Sequence, residues 1–433
     1  MSERSDGAAT GVATGVTTGA QRFELLTIRL PVIATFAGLI GGLAAGIVLA
    51  GAGIAPVVLE AIALVGTLWL RALQMTIIPL VASLLVLGLT QMIGAARAGP
   101  AARLFVALVL AVAIAGGVFT ALALPALIAA FPVPEGAAAF LAQTPANAGS
   151  GEIPGVLEFL QSLVAPNIIA AASETAMLPL TIFFALFAAA IARLPAAQNE
   201  ALLGFFHALA NAMLLIIGWV LKIAPAGVAA LAFGVGLRSG EGAFAALAHY
   251  IAVISAMGAF ILVLAYAMAL AFGGVGLSAF VRAVLPAQAV ALSTQSSLAS
   301  LPAMLESAQR LGLKASTAEF VLPLAVAIFR ATSVAMNLAV ALYVAALAGI
   351  EVPPTLVGIG ILVAVVISVG SVSLPGSISF VVSIGPIALA MGVPVEPLAL
   401  LVAVEMLPDI MRTLGNVTMN VAVTAIVDRA GED

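Results

Sequence analysis

Hydrophobic positions in this chain do not alternate with polar ones; they run on. Apolar segments span about 29–52, 55–92, 102–132, 175–195, 199–226 and 242–272, each closed by glycine, proline or charged punctuation. In a transmembrane barrel the strands alternate lipid-facing with inward-facing residues, so a run such as "LFVALVLAVAIAGGVFTALAL" argues against strands. It predicts helices that are apolar all round. A bilayer core of ~30 Å needs about 20 helical residues per crossing, and the apolar content can feed roughly eight crossings.

The last third of the pattern is different. Two apolar stretches are interrupted in the middle: 278–310 by "STQSSLASLP" (293–302), and 354–391 by "SVGSVSLPGSIS" (368–379). A helix through Pro302 or Pro375 loses backbone hydrogen bonds. Irregular backbone at membrane depth survives only when buried in protein or lining a cavity. Two such breaks, both rich in hydroxyls, predict re-entrant hairpins whose tips meet at a site. Pro-kinked spanning helices are the alternative.

Composition settles the solvent. The chain has 433 residues, 64% hydrophobic and 8% charged, with mean hydropathy +1.27. A soluble chain is nearer half apolar and a quarter charged. The fold class is therefore all-α integral membrane. There are no cysteines, so disulfides, thiolate metal sites and cysteine nucleophiles are excluded. The histidines are His207 and His249, too few for a zinc site built on histidine pairs. No metal site and no cofactor is predicted. The net charge of −4 gives no sign of nucleic-acid binding. A serine hydrolase would need a base beside its nucleophile, and no Gly-x-Ser-x-Gly occurs, so the chain does not read as an enzyme. A channel is the other rival class.

Residues 1–22 are polar, small and Gly/Thr-rich, which predicts a disordered cytoplasmic tail over 1–24. Arg97, Arg103, Arg193, Arg310, Lys314 and Arg429 mark one side of the membrane. The loops at 133–155 and 349–355 hold acids and no Lys or Arg. The positive-inside rule puts both termini and the 93–101 loop in the cytoplasm, with Arg238 as an exception.

The segment 396–427 is predicted as one helix. Its Glu405, Asp409, Arg412, Asn416 and Asn420 follow spacings of four, three, four and four, which is one helical stripe. Ions in hydrocarbon need a partner or water, so the stripe is a candidate site. Arg412 suits a carboxylate, Asp409 an ammonium, and Asn416 offers both donor and acceptor. The partner is then a small anionic or zwitterionic solute. An internal Asp409–Arg412 salt bridge is the structural alternative.

Over about residues 25–428 the chain resembles the glutamate transporter family, the dicarboxylate/amino acid:cation symporters. The residues that carry the likeness are "SSLASLP" (296–302), "SLPGS" (373–377), "DIMRTLGNVTMNVAVTAIV" (409–427) and "AMLPLTIFFALFAAAIA" (176–192). The resemblance implies eight transmembrane helices plus two re-entrant helical hairpins, in an inverted-repeat, elevator-type transporter. It implies a homotrimer in membrane lipid, in a plasma membrane such as the bacterial inner membrane. In that reading 25–132 holds helices 1–3, 133–241 an outer loop and scaffold helices 4–5. Residues 242–428 hold helix 6, hairpin 1, helix 7, hairpin 2 and helix 8. Asp409 would meet the substrate amine and Arg412 its side-chain carboxylate. Thr413 and Asn416 would help hold it, Ser296, Ser297 and the hairpin backbone would meet the α-carboxylate, and Ser333 would lie nearby. Ser371, Pro375 and Gly376 would form the outer gate. Relatives specialised for dicarboxylates tend to lack the acid matching Asp409, so its presence favours aspartate or glutamate.

The sequence also departs from the family pattern. The Asn-Met-Asp-Gly-Thr sodium motif falls on "FRATS" (329–333), and a rival alignment on "MNLAV" (336–340); neither contains the acid. The sodium-binding Asp of the last helix falls on Asn420. Arg330 is the candidate tethered cation in place of a bound sodium, facing Asp409 and the substrate; pairing with Glu405, or snorkelling to a water-filled gap, is the alternative. The family's proton-carrying Glu falls on Asn337, which leaves Glu405 as the candidate proton carrier. The coupling cation stays open between H+ and Na+, with uncoupled exchange as a third option and a proton-coupled C4-dicarboxylate symporter as the alternative function.

Overall fold

The computed structural model describes residues 31–50, 52–97, 99–134, 161, 164–174, 176–239, 242–370 and 376–431. The tail predicted over 1–24 and most of the 133–155 loop lie outside them. Among the described residues the regular structure is helical. Among the described residues, six stretches are long and apolar enough to cross a bilayer: Pro56–Ala96, Pro100–Ala130, Ala196–Lys222, Phe244–Ala271, Ala315–Leu347 and Met406–Ala430. Shorter apolar helices accompany them, so the chain is a multi-pass membrane protein.

The first group of helices comprises α1 (Val32–Val48), α2 (Pro56–Gln74), α3 (Ile77–Ala96), α4 (Pro100–Ala130), α5 (Ile168–Ser173), α6 (Met177–Ile191), α7 (Ala196–Lys222) and α8 (Ala224–Ser239). The 55–92 segment is two helices because Pro79 offers no N–H to the carbonyl at 75, and the chain turns at 75–76. Backbone meets backbone where α1 crosses α8. A Cβ on Gly42 would sit 2.3 Å from the Ala229 carbonyl oxygen, and one on Gly46 2.3 Å from that of Phe233. Small residues are what permit such an approach between apolar helices. Trp69 on α2 is buried and donates from Nε1 to the Val220 carbonyl at 3.0 Å, whereas Trp219 is exposed.

The second group begins with α9 (Gly242–Ala271). It is followed by α10 (Leu277–Thr294), α11 (Leu301–Arg310), α12 (Ala315–Ile328), α13 (Ser333–Leu347), α14 (Pro354–Gly370), α15 (Gly376–Ala390), α16 (Leu398–Leu401) and α17 (Met406–Ala430). Helices α10 and α11 pack on each other across a turn at 295–300, with Pro302 tolerated in the first turn of α11. Gln295 opens that turn with φ 50°, in the left-handed region. Helices α14 and α15 pack as a second pair, and the 371–375 tip between them lies outside the described residues.

Two helices break where the hydrophobic pattern runs on. The 315–347 stretch opens at 329–332, where Phe329 is extended (φ −108°, ψ 109°). The predicted 396–427 helix is corrected as well. It becomes α16, a tight turn over 402–405 with bonds from Ala403 N to Leu400 O and from Val404 N to Leu401 O, then α17. Pro408 is the reason: it has no N–H to give the carbonyl at 404, and its ring crowds that group. Glu405 therefore occupies the N-cap position of α17, without a side-chain capping bond, with Asp409 in the first turn. Both acids stand at the positive end of the helix dipole.

Buried apolar residues form two cores. One joins α1–α3, parts of α4 and α5, α6–α8 and the first half of α9 to α13–α16; the other joins the start of α4, the second half of α9, α10–α12 and α17. Val404 belongs to the first and Val417 to the second. The polar stripe thus passes from one core into the other.

Candidate functional site

Arg412 is the centre of the site. Its Nη2 donates to Glu405 Oε1 at 2.7 Å, its Nη1 to Asn337 Oδ1 at 2.8 Å, and its Nε lies 3.2 Å from Asp409 Oδ1. Glu405 is 1% exposed, Asp409 5% and Arg412 8%. Charges this buried are stable only when paired and hydrogen-bonded. Two further groups of the cluster have partners: Tyr250 on α9 donates to Glu405 Oε2 at 3.0 Å, and Asn337 Nδ2 donates to Ser333 Oγ at 3.0 Å. The internal Asp409–Arg412 bridge is thus present, with Glu405 as a second acid on the same guanidinium.

The break at 329–332 is built against this cluster. Thr332 gives its backbone N–H to Asn416 Oδ1 at 3.0 Å, and its hydroxyl lies 2.9 Å from the same oxygen and 3.2 Å from the Arg412 carbonyl. Asn416 therefore takes up a donor that the broken helix releases. The approach needs Gly415, where a Cβ would fall 2.5 Å from Thr332 Cγ2. Arg330, in the same break, acts electrostatically on Asp409 and Arg412. The Asp409 carboxylate is thus influenced electrostatically by two guanidinium groups.

Of the residues singled out in the sequence, the structure brings together Arg330, Ser333, Glu405, Asp409, Arg412 and Asn416. Asn416 has its carbonyl oxygen committed to Thr332, which leaves its Nδ2 as the donor for anything else. The Thr413 hydroxyl bonds within its helix to the Asp409 carbonyl at 3.0 Å. Ser296 and Ser297 are half-buried in the hairpin turn, where Ser296 Oγ accepts from Ala299 N at 3.2 Å. Asn420 is fully buried; its Nδ2 lies 4.0 Å from Met304 Sδ and its Oδ1 makes no hydrogen bond among the described residues. Gly376 begins α15, and Ser371 and Pro375 lie outside the described residues.

Tyr250 and Thr332 were not singled out as site residues in the sequence, and Asn337 only as an untitratable residue at the family's proton-carrying position. The tyrosine did carry a signal. The chain holds three tyrosines, and a phenol buried in so apolar a protein must find a partner. Tyr343 lies 2.9 Å from His249 Nδ1 through its hydroxyl, and Tyr266 accepts from Gln288 at 2.9 Å. Gln295, at the hairpin turn, donates to the Met406 carbonyl at 3.1 Å and so ties that turn to the start of α17. A shallow apolar crevice lined by Leu73, Ile77, Gly385 and Leu398 shares no residue with the cluster.

The pattern that defines the sodium:dicarboxylate symporter family matches residues 32–430. The chain belongs to this family. Its relatives are distant. The proton/sodium-glutamate symport protein of Bacillus subtilis is 27% identical over 397 residues, covering 90% of each chain. The proton/glutamate-aspartate symporter of Escherichia coli is 26% identical over 273 residues, 63% of this chain and 62% of that one. A C4-dicarboxylate transport protein of Rhizobium etli is 25% identical over 276 residues, 63% of this chain and 61% of that one. Both shorter matches thus span less than two thirds of those relatives. The family is one of symporters, and with several apolar helices this chain is a multi-pass membrane protein.

Proposed function

We propose that the protein is a secondary transporter of acidic amino acids, aspartate or glutamate, working as an elevator. In this reading it is a trimer of eight-span subunits, with α10–α11 and α14–α15 as re-entrant hairpins. Residues 242–428 form the moving core and 133–241 an outer loop with scaffold helices. The observation that carries the reading is Arg412, a buried guanidinium held by two carboxylates. All three of its edges are taken by protein groups, so a substrate carboxylate binds by replacing one of them. Glu405 on Nη2 is the group to exchange, because it sits on the turn at 402–405 and not inside the helix. Asp409 stays to meet the amine.

Coupling follows from the same exchange. A protonated Glu405 releases Nη2 to the substrate and takes the buried negative charge out of competition. Proton symport with Glu405 as carrier therefore fits the cluster, and Arg330 supplies the fixed positive charge beside Asp409. A second reading, proton-coupled transport of C4-dicarboxylates, is supported by one feature: Asp409 already has Arg412 and Arg330 on it, which weakens its hold on an ammonium.

Uptake of labelled aspartate into proteoliposomes under a sodium, proton or null gradient tests the proposal, with succinate and glutamate as competitors. Aspartate uptake driven by a proton gradient without sodium is the expected result. Strict dependence on several sodium ions per substrate would overturn the tethered-cation role of Arg330. Succinate outcompeting aspartate would select the second reading.

A further inference from the structure

Where a helix of this chain ends in a left-handed turn, the residue in that turn is glycine, with one exception. Gly274, Gly312, Gly349 and Gly392, just past α9, α11, α13 and α15, have φ between 63° and 74°. Gln295, at the end of α10, has φ 50° and ψ 32°, and is the only non-glycine residue with positive φ among the described residues. A Cβ in that conformation crowds the following carbonyl oxygen, and glycine or asparagine is the usual choice there. Such strain persists only where the surroundings impose it, and an outlier of this kind points to a function.

What the glutamine supplies is reach. Its Nε2 donates to the Met406 carbonyl at 3.1 Å. A carbonyl has two lone pairs, so this bond adds to the one made inside the helix. Met406 is the first residue of α17 and directly follows Glu405. The other hydrogen bonds of residues 295–300, among the described residues, stay inside the hairpin. Ser296 Oγ accepts from Ala299 N at 3.2 Å, Ser300 Oγ donates to the Ser296 carbonyl at 2.9 Å, and the Ser300 carbonyl accepts from Met304 N at 2.9 Å. The turn is closed on itself, and Gln295 is the polar link that fastens it to α17.

We propose that Gln295 is a positioning residue for substrate binding, and that the left-handed backbone at 295 is kept for its bond to Met406. The proposal rests on the substrate binding at the cluster of Glu405, Asp409 and Arg412. In that reading Glu405 leaves Arg412 by movement of the turn at 402–405, and Met406 is the joint between that turn and α17. With the Met406 carbonyl held, Glu405 moves while Asp409 and Arg412 keep their places. The same bond holds the turn that carries Ser296 and Ser297 beside the first turn of α17. Without it the turn has to be ordered at each binding event, and that entropy is subtracted from the affinity. Glycine at 295 separates the two roles, because it relieves the strain and removes the bond. A turn that served folding alone would be made at least as well by glycine.

The test is calorimetric titration of the full chain in detergent with aspartate, glutamate and succinate, for the wild type, Gln295→Gly and Gln295→Met, with the Tm of each read at one scan rate. Methionine keeps the length and the strain and loses the donor. Both variants are expected to bind aspartate about tenfold more weakly, the equivalent of one lost hydrogen bond. The Tm of Gln295→Gly is expected to equal or exceed that of Gln295→Met, which a merely structural role would not combine with lost affinity. The turn itself is followed through Ser300→Cys, a near-isosteric change at a fully buried position in a chain without cysteine. A maleimide should label it faster when Gln295→Gly is added. Wild-type aspartate affinity in Gln295→Gly overturns the proposal and leaves the substrate site standing. Unchanged labelling, or a Tm of Gln295→Gly below that of Gln295→Met, also overturns it. A wild type that binds none of the three solutes overturns the site, and the proposal with it.

Discussion

The pairing of Arg412 with Glu405 predicts a reversal of sign in a double-mutant cycle. Glu405→Gln keeps the oxygen that accepts from Arg412 Nη2 and loses the charge, while Asp409 at 3.2 Å still balances the guanidinium. The cost in the wild-type background is the gap between a charge-assisted and a neutral hydrogen bond, about 1–2 kcal/mol. Arg412→Met is harsher. It strands Glu405, 1% exposed, with Tyr250 as its remaining hydrogen-bond partner. Removing one member of a buried pair costs about 3–5 kcal/mol. Adding Glu405→Gln to Arg412→Met removes the stranded charge and leaves Asp409 with Arg330. The double variant is therefore expected to be more stable than Arg412→Met alone, by about 2 kcal/mol on the same principle. In a chain of this size that corresponds to a rise of about 2 °C in Tm. Thermal unfolding in detergent at one fixed scan rate reads it, the fixed rate being needed because unfolding of such chains is kinetically controlled. If Glu405→Gln lowers the Tm of Arg412→Met as much as it lowers the wild type, the two side chains do not share a charge pair and the exchange mechanism loses its basis.

Other contacts give further tests. Gly42→Val places a side chain 2.3 Å from the Ala229 carbonyl and should cost about 1–3 kcal/mol in thermal stability by overpacking, whereas Gly41→Val, with open space around it, should leave the Tm unchanged. Asn416→Leu leaves the Thr332 N–H buried without its acceptor, so a loss of about 1–3 kcal/mol is expected by thermal unfolding; a loss below the measurement error would show that Asn416 does not hold the break. Trp69→Phe keeps the packing against Gly227 and removes the bond to the Val220 carbonyl, for about 1 kcal/mol.

Much of this was legible in the residues because lipid makes polar groups conspicuous. The apolar runs marked the spans, and "STQSSLASLP" marked a turn that the structure puts at 295–300. The spacing of Glu405, Asp409, Arg412 and Asn416 marked one face, which α17 preserves. Pro408 was visible too, and its effect, moving the helix start to Met406, is a local consequence of a missing N–H. The break at 329–332 was not legible as a break. It contains neither proline nor glycine, and what opens it is Asn416 from another helix accepting the Thr332 N–H. Tertiary partners of that kind leave no periodicity. The role of Asn337 was not legible either: the resemblance aligned it with the family's proton-carrying Glu, and only the fold aims its oxygen at Arg412.

The charge balance of the cluster narrows the substrate under the proposed reading. Arg330 and Arg412 contribute two positive charges, and Glu405 and Asp409 two negative ones, so the four groups together are neutral. An acidic amino acid carries a net charge of about −1 at neutral pH, from two carboxylates and one ammonium. Bound beside an ionised Glu405 it would leave one buried negative charge without a partner, a penalty of several kcal/mol. One proton on Glu405 cancels it, and the same proton frees the Arg412 edge that the substrate carboxylate takes. A C4-dicarboxylate, at about −2, would still leave one charge over after that proton and would need a second cation. A measured ratio of one proton per aspartate is what neutrality demands, and a ratio of two per succinate is what it demands of the alternative. A sodium-independent one-to-one proton–succinate symport would mean that Asp409 holds a proton in both the empty and the loaded carrier, and would reassign the amine site.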